Sequence, residues 1–433
     1  MLYHSTKNNN EKVSLKEAIF KGLPADNGLF VPEKIPTLPA SFFDNIISLS
    51  NTEIAFEVAK CFVDNEIPEA DLKDIVEDAI NFEVPLIQID EANYILELFH
   101  GNTFAFKDFG ARFMARVMNY WLQKEQKKLQ VLVATSGDTG SAVAHGFYKN
   151  SQIDVAIFYP NGKVSAIQEK QFTTLGENIT AIAIDGTFDD CQRLVKEAFL
   201  DIDLQQKYKL SSANSINIAR LIPQSFYYFF AYRDFVKING KQPVNFCVPS
   251  GNFGNLTAGI FAKKMGLPIH KIIAATNANA VFVDYIHSGD YQPKPSVATI
   301  SNAMDVGNPS NFQRLAYYFP SANEMAESIA AYSFDDVETQ DFILNFDKEK
   351  NYVACPHTAV GLLGANAFLQ ENKNEKVITL STAHPAKFKE TMEMILKKEV
   401  PIPASLQAII AGEEKNIHLS KDFTAIKNWL LNK

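Results

Sequence analysis

The chain has 433 residues, 46% of them hydrophobic and 21% charged, which is globular composition at a length that predicts two or three packed units. A net charge of -9 with no long run of Lys or Arg argues against nucleic acid as a partner. Residues 1–12 are polar, and the longest uncharged stretch, 242–262, carries Pro249, Gly251, Asn252, Gly254 and Asn255, so neither a secretory signal nor a membrane span is expected.

Cys61, Cys191, Cys247 and Cys355 show no CxxC spacing and read as free thiols of a reducing compartment, so the expectation is a soluble cytoplasmic protein. The eight histidines have no metal-ligand spacing, and no metal is expected. A GxSxG elbow is also absent, which weakens a serine-hydrolase reading.

In chain order, residues 1–90 are mostly helical in pattern, with Pro32, Pro36 and Pro39 marking an irregular link. From residue 94 short β-branched or aromatic runs recur, at 94–99, 131–134, 155–159, 179–184, 246–248, 272–275 and 377–380. Several lack polar alternation, the pattern of strands buried on both faces. Helical spacing fills the gaps, which predicts an α/β protein with largely parallel sheets flanked by helices. The expected units are a helical region over 1–90, an α/β domain over 91–240 and a second over 241–433.

Ligands of parallel sheets sit where strand ends hand over to helix starts, and four segments fall at such places. Residues 100–110 (HGNTFAFKDFG) lead into a helix on which Phe109, Phe113, Val117 and Trp121 recur every four residues, with Asp108 as its expected N-cap. Lys107 stands at the helix entrance between Phe106 and Phe109. It is either a snorkelling lysine or a desolvated amine, whose lowered pKa makes it a nucleophile.

Residues 135–141 (TSGDTGS) offer Ser136 and Asp138 at another helix start, suited to a ring oxygen or a carboxylate, or else simply capping the helix. Residues 249–257 (PSGNFGNLT) place Gly251, Asn252, Phe253, Gly254 and Asn255 so that backbone N–H groups converge on an anion, or form a plain tight turn. The loop is neither GxGxxG nor GxxxxGK, so the usual nucleotide signatures are missing. Thr382, at the end of the last clear strand, has a hydroxyl able to face a heteroaromatic nitrogen or to cap a helix.

Taken together, these segments resemble the threonine synthase family. The run 100–114 (HGNTFAFKDFGARFM) is similar to that family's lysine motif. Further motifs follow in the family's order at 136–140 (SGDTG), 211–220 (SSANSINIAR), 249–257 (PSGNFGNLT), 304–314 (MDVGNPSNFQR), 356–361 (PHTAVG) and 382–387 (TAHPAK). The resemblance spans nearly the whole chain. It departs at Lys7 and Asn8, where the amino-terminal motif usually reads STRG, and at Asn27, where a glycine is usual. Asp138 stands where many wider relatives have asparagine.

The resemblance implies a fold-type-II pyridoxal-phosphate enzyme with its cofactor in the cleft between two α/β domains, acting on O-phosphohomoserine and water to give threonine and phosphate. Carried over, Lys107 is the Schiff-base lysine, residues 251–255 hold the cofactor phosphate, Asp138 lies near the ring oxygen and Thr382 meets the pyridine nitrogen. Ser136, Ser165, Asn214, Asn217 and Arg220 are the candidates for binding the substrate, Arg220 because a guanidinium matches phosphate geometry. A monomer or homodimer is expected.

Overall fold

Strands whose residues are apolar throughout need helices on both faces, and the computed structural model, which describes residues 1–433, builds two such sheets. One sheet has six strands in the order Ile329–Ser333, Ile269–Thr276, Val244–Pro249, Val377–Ser381, Asn93–Glu97 and Leu86–Gln88. All its neighbours are parallel except the last pair. The other has five strands, all parallel, in the order Asn416–Ser420, Ile179–Asp185, Ile153–Pro160, Leu129–Ala134 and Leu210–Ser212.

Period-two geometry divides each strand between two cores. Val131 and Val133 enter the main core of 89 buried residues, which also receives Phe246, Val248 and Ile272 of the six-stranded sheet. Leu132 and Ala134 face the opposite way, with Leu194, Ala198, Ile426 and Leu430 of the helices Phe188–Leu200 and Phe423–Asn432. A single apolar core therefore runs between the two sheets.

The amino-terminal region is helical as its pattern suggests, but it also contains a small antiparallel sheet of Lys12–Val13, Tyr3–Ser5 and Phe30–Pro32. Its helices Leu15–Lys21 and Asn51–Val63 each start with a capping box, Ser14 with Glu17 and Ser50 with Glu53. The unusual Asp26-Asn27-Gly28 turn is clamped to the first strand: Asp26 Oδ1 accepts from Ser5 Oγ at 2.7 Å and from the Gly28 N–H at 2.8 Å.

A division at residues 91 and 241 does not coincide with the sheets. Strand Asn93–Glu97 pairs with Val377–Ser381 in the six-stranded sheet, and the carboxy-terminal strand Asn416–Ser420 returns to the five-stranded one. Chain position alone misplaces both, because parallel pairing joins strands far apart in sequence. No helix is long and apolar enough to cross a membrane.

Candidate active site

The segment leading to Lys107 is clipped along the exit of strand Val377–Ser381. Leu98 donates to the Ser381 carbonyl at 3.0 Å, Phe106 to that of Thr382 at 2.9 Å, and His384 to that of Phe104 at 3.0 Å. These bonds bring Lys107 and Thr382 together from positions 275 residues apart in sequence. The helix runs from Lys107 to Glu125, two residues earlier than an Asp108 cap requires, and no side chain caps it.

Asp108 instead lies buried in the first turn. Its carboxylate accepts from the Thr103 hydroxyl at 2.6 Å and the Thr103 N–H at 2.8 Å, pinning the preceding loop. Burial raises its pKa, against the lowering by these bonds.

The Lys107 side chain is 18% exposed, with Nζ 5.0 Å from the Phe106 ring centroid and 3.7 Å from Asp138 Oδ2. Phe109 turns away, edge-on to Phe82 and Tyr227. Burial drives the Lys107 pKa down; Asp138 opposes this, and Lys387 and Arg220 add to it, so the net shift is downward. The amine is thus poised to be uncharged more readily than a surface lysine.

Asp138 opens the helix Asp138–Phe147, and Thr135 Oγ1 shapes its approach by accepting from the Gly137 and Gly140 N–H groups at 2.9 and 2.8 Å. Gly137 needs its freedom: φ is +140°, and a Cβ would lie 2.7 Å from the Gln168 side chain. Asp138 Oδ1 accepts from Gln168 Nε2 at 2.8 Å and lies 2.9 Å from Lys387 Nζ. Burial pushes its pKa up, but Lys387 and then Lys107 outweigh it, and the carboxyl sits well below the usual range.

The glycine loop follows strand Val244–Pro249 and feeds the helix Gly254–Lys264. Its side chains are engaged in making its shape. Ser250 Oγ donates to Asn255 Oδ1 and accepts from the Phe253 N–H, while Asn255 Nδ2 donates to the Pro249 carbonyl. Asn252 Oδ1 accepts from the Ser310 N–H at 2.6 Å, and Asn252 Nδ2 donates to Ser215 Oγ. Phe253 takes the left-handed conformation at φ +56°.

A Cβ on Gly251 would lie 2.6 Å from the Met304 Cα. The backbone N–H groups of Gly251, Asn252, Gly254 and Asn255 bond to no other group of the protein and stand at a helix N-terminus, the arrangement that receives a phosphate. A desolvated amine, unclaimed amides at a helix start and the nearly buried Thr382 (5% exposed) fit a pyridine aldehyde bearing a phosphate.

The remaining candidates divide by what their polar atoms already do. Ser136 sits half-buried on the Asp138 loop. Ser165 caps the helix Ala166–Thr173, and its hydroxyl donates to Gln168 Oε1 at 2.9 Å. Asn214 keeps an unpartnered, buried Oδ1. Asn217 is occupied at both ends, donating to the carbonyls of Ile19 and Ser212 and accepting from the Ala219 N–H, so it braces the turn and offers no free atom.

Arg220 is 2% exposed; Nη1 donates to the Ala213 carbonyl, Nε has no partner, and burial lowers its pKa to about 10 against the pull of Asp108. Its Nε packs on Gly110 of the Lys107 helix, where a Cβ would lie 2.7 Å away, and its carbonyl accepts from Gln224 Nε2.

Two residues had no role in the sequence reading. Lys387 closes the TAHPAK motif between Ala386 and Phe388, and that apolar setting is the one sequence signal of its burial. His357 accepts from the Ala303 N–H through Nε2, leaves Nδ1 without a partner, and is pushed by burial to about 4, with Asp138 opposing.

Residues 84–383 match the family described as pyridoxal-phosphate dependent enzyme, residues 2–80 the threonine synthase N terminus and residues 358–430 the threonine synthase C-terminal region. A threonine synthase of Haemophilus influenzae is 43% identical over 431 residues, covering 100% of both chains, and that of Escherichia coli is 41% identical over 432 residues with the same coverage. The crystal structure of threonine synthase from Escherichia coli superposes with a TM-score of 0.92 at 40% identity over 100% of both chains. The pyridoxal-phosphate-bound threonine synthase of Brucella melitensis superposes at 0.94, with 33% identity over 100% of this chain and 99% of the other. The chain belongs to the threonine synthase family of pyridoxal-phosphate-dependent enzymes.

Proposed function

We propose that this chain converts O-phosphohomoserine and water into L-threonine and phosphate, by γ-elimination and β-addition of water, with pyridoxal phosphate held on Lys107. The observation that supports the reading is a desolvated Lys107 clipped beside Thr382, together with a glycine loop of unclaimed amides after another strand of the same sheet, in a chain matched end to end by threonine synthases. When bound, the cofactor supplies a sink for the electrons left as the substrate loses its α-proton.

The protein's own groups do the rest. Backbone N–H groups of Gly251, Asn252, Gly254 and Asn255 hold the cofactor phosphate, with Phe253 setting the turn. Thr382 presents a hydroxyl to the pyridine nitrogen. Asp138 sits beside Lys107 and favours the protonated state of whatever nitrogen occupies that place. Nζ of Lys107, short of full protonation, takes the proton from the substrate Cα and returns protons later in the cycle.

Arg220 binds the substrate phosphate, aided by Asn214, Ser136 and Ser165, while Asn217 braces the turn that carries Asn214. We place the protein in the cytoplasm, as a monomer or homodimer whose only required partner is its small-molecule substrate.

The test is spectroscopic and chemical. The purified protein should absorb at about 410–420 nm, as protonated pyridoxal imines do, and Lys107→Ala should remove that band together with threonine formation. A protein that deaminates threonine or serine and leaves phosphohomoserine untouched would instead be a dehydratase on the same scaffold. One with the band and neither activity would be a non-catalytic relative.

A further inference from the structure

We propose that Lys387 is a positioning residue: by engaging Asp138 in an ion pair of its own, it leaves the neighbouring Lys107 free to give up its proton. The inference rests on the reading that Lys107 carries the cofactor.

Lys387 comes from the short turn Pro385–Phe388 that follows strand Val377–Ser381, and its side chain is 0% exposed. Its Nζ has three acceptors: the Thr103 carbonyl at 2.6 Å, Gln171 Oε1 at 2.8 Å and Asp138 Oδ1 at 2.9 Å. An ammonium has three N–H donors and a neutral amine two, so this geometry calls for the charged form. Each acceptor lies on a different element: the segment before Lys107, the helix Ala166–Thr173 and the helix Asp138–Phe147.

Asp138 is therefore shared unequally. Its Oδ1 meets Lys387 at 2.9 Å and Gln168 at 2.8 Å, whereas its Oδ2 stands 3.7 Å from Lys107, outside hydrogen-bonding distance. Two amines and one carboxylate carry one excess proton, and the amine with the weaker hold on the carboxylate is the one that releases it.

The other groups facing the cluster leave this count unchanged. Arg220 adds positive charge near Lys107. Asp108 faces Lys387 and Arg112 but is bound by Thr103. His145, His357 and His384 are each pushed by burial to about 4, and so are neutral near pH 7; Glu97 and His100 lie beside His384. Cys355, opposite Asp138, is raised by burial and stays a thiol.

The experiment is a visible-absorbance pH titration of the holoenzyme, reading the protonation midpoint of the cofactor–Lys107 linkage. Lys387→Met leaves Asp138 uncompensated beside that linkage, so its midpoint should rise by about one pH unit or more. Lys387→Gln, which keeps a donor but no charge, should give the same rise and covers the event that the Met variant does not fold. Placed in an Asp138→Asn background, either substitution should move the midpoint little, because the carboxylate through which Lys387 acts is gone.

An unchanged midpoint in a folded single variant, or an equal shift without the carboxylate, overturns the proposal. Loss of stability or of cofactor occupancy at an unchanged midpoint means a merely structural lysine and overturns it too. Failure of the underlying reading looks different, because the parent protein would then show no band dependent on Lys107.

Discussion

At the scale of single residues, burial alone does not distinguish a functional cation from a structural one; the state of its donors does. Arg314 is fully buried and fully engaged, with Nε on the Phe30 carbonyl at 3.1 Å, Nη1 on Asn311 Oδ1 at 2.6 Å and Nη2 on the Ile216 carbonyl at 2.6 Å. Arg220, equally buried, has one such bond and an unpartnered Nε.

The two should therefore fail in different ways. Arg314→Met strands three acceptors at once and should cost about 3–5 kcal/mol of stability, read from denaturant unfolding. Arg220→Met should leave the fold nearly intact while raising KM for phosphohomoserine about ten- to hundredfold, the value of one charge-assisted contact of roughly 1.5–3 kcal/mol. A stable Arg314 variant, or an Arg220 variant with an unaltered KM, would reverse the assignment.

At the scale of elements, the glycine loop 251–255 is held by a backbone contact that only one of its glycines requires. A Cβ on Gly251 would come within 2.6 Å of the Met304 Cα, which no rotamer change relieves. On Gly254 the nearest atom is Asn311 Nδ2 at 3.6 Å, an ordinary contact. Gly251→Ala should thus shift the loop, cost about 1–3 kcal/mol and weaken cofactor retention. Gly254→Ala, at the start of a helix, should hold or raise the apoprotein's stability, by up to about 1 kcal/mol of helix propensity. Thermal melts and cofactor titration of the two variants decide it, and equal damage from both would refute the contact argument.

Strands buried on both faces were legible as unbroken apolar runs: 131–134 lies within Leu129–Ala134, 179–184 within Ile179–Asp185 and 272–275 within Ile269–Thr276. The three amino-terminal strands have two or three residues each, too short to show any period. The lysine helix starts before the Asp108 cap that its sequence predicts because Asp108 makes its bonds to Thr103 from inside the first turn, a choice set by the loop and not by propensity. Lys387 had no visible role because its three acceptors, at Thr103, Asp138 and Gln171, lie more than 200 positions away in sequence.

At the scale of the whole molecule, the candidate site residues come from both sheets. Lys107, Thr382 and the amide loop follow strands of the six-stranded sheet, while Asp138 follows a strand of the five-stranded one. Stability of the five-stranded unit depends in turn on the returning carboxy terminus. Strand Asn416–Ser420 pairs along Ala181–Asp185, and helix Phe423–Asn432 closes the outer face with Ile426 and Leu430, both 0% exposed.

Leu430 sits where this closure can be tested. Its side chain belongs to the outer core, not to the core shared by the sheets, and its carbonyl accepts from Tyr208 Oη at 2.7 Å, a bond that any side chain keeps. Leu430→Ala therefore removes packing alone, at about 2–5 kcal/mol. The loss should be local: hydrogen exchange should quicken in the terminal strand and helix, while the main core and the cofactor band at Lys107 persist at the same denaturant concentration. If exchange instead quickens evenly through both sheets, the outer core is not a separable cooperative unit, and the sheets carrying the candidate site residues depend on the carboxy terminus as much as on the shared core.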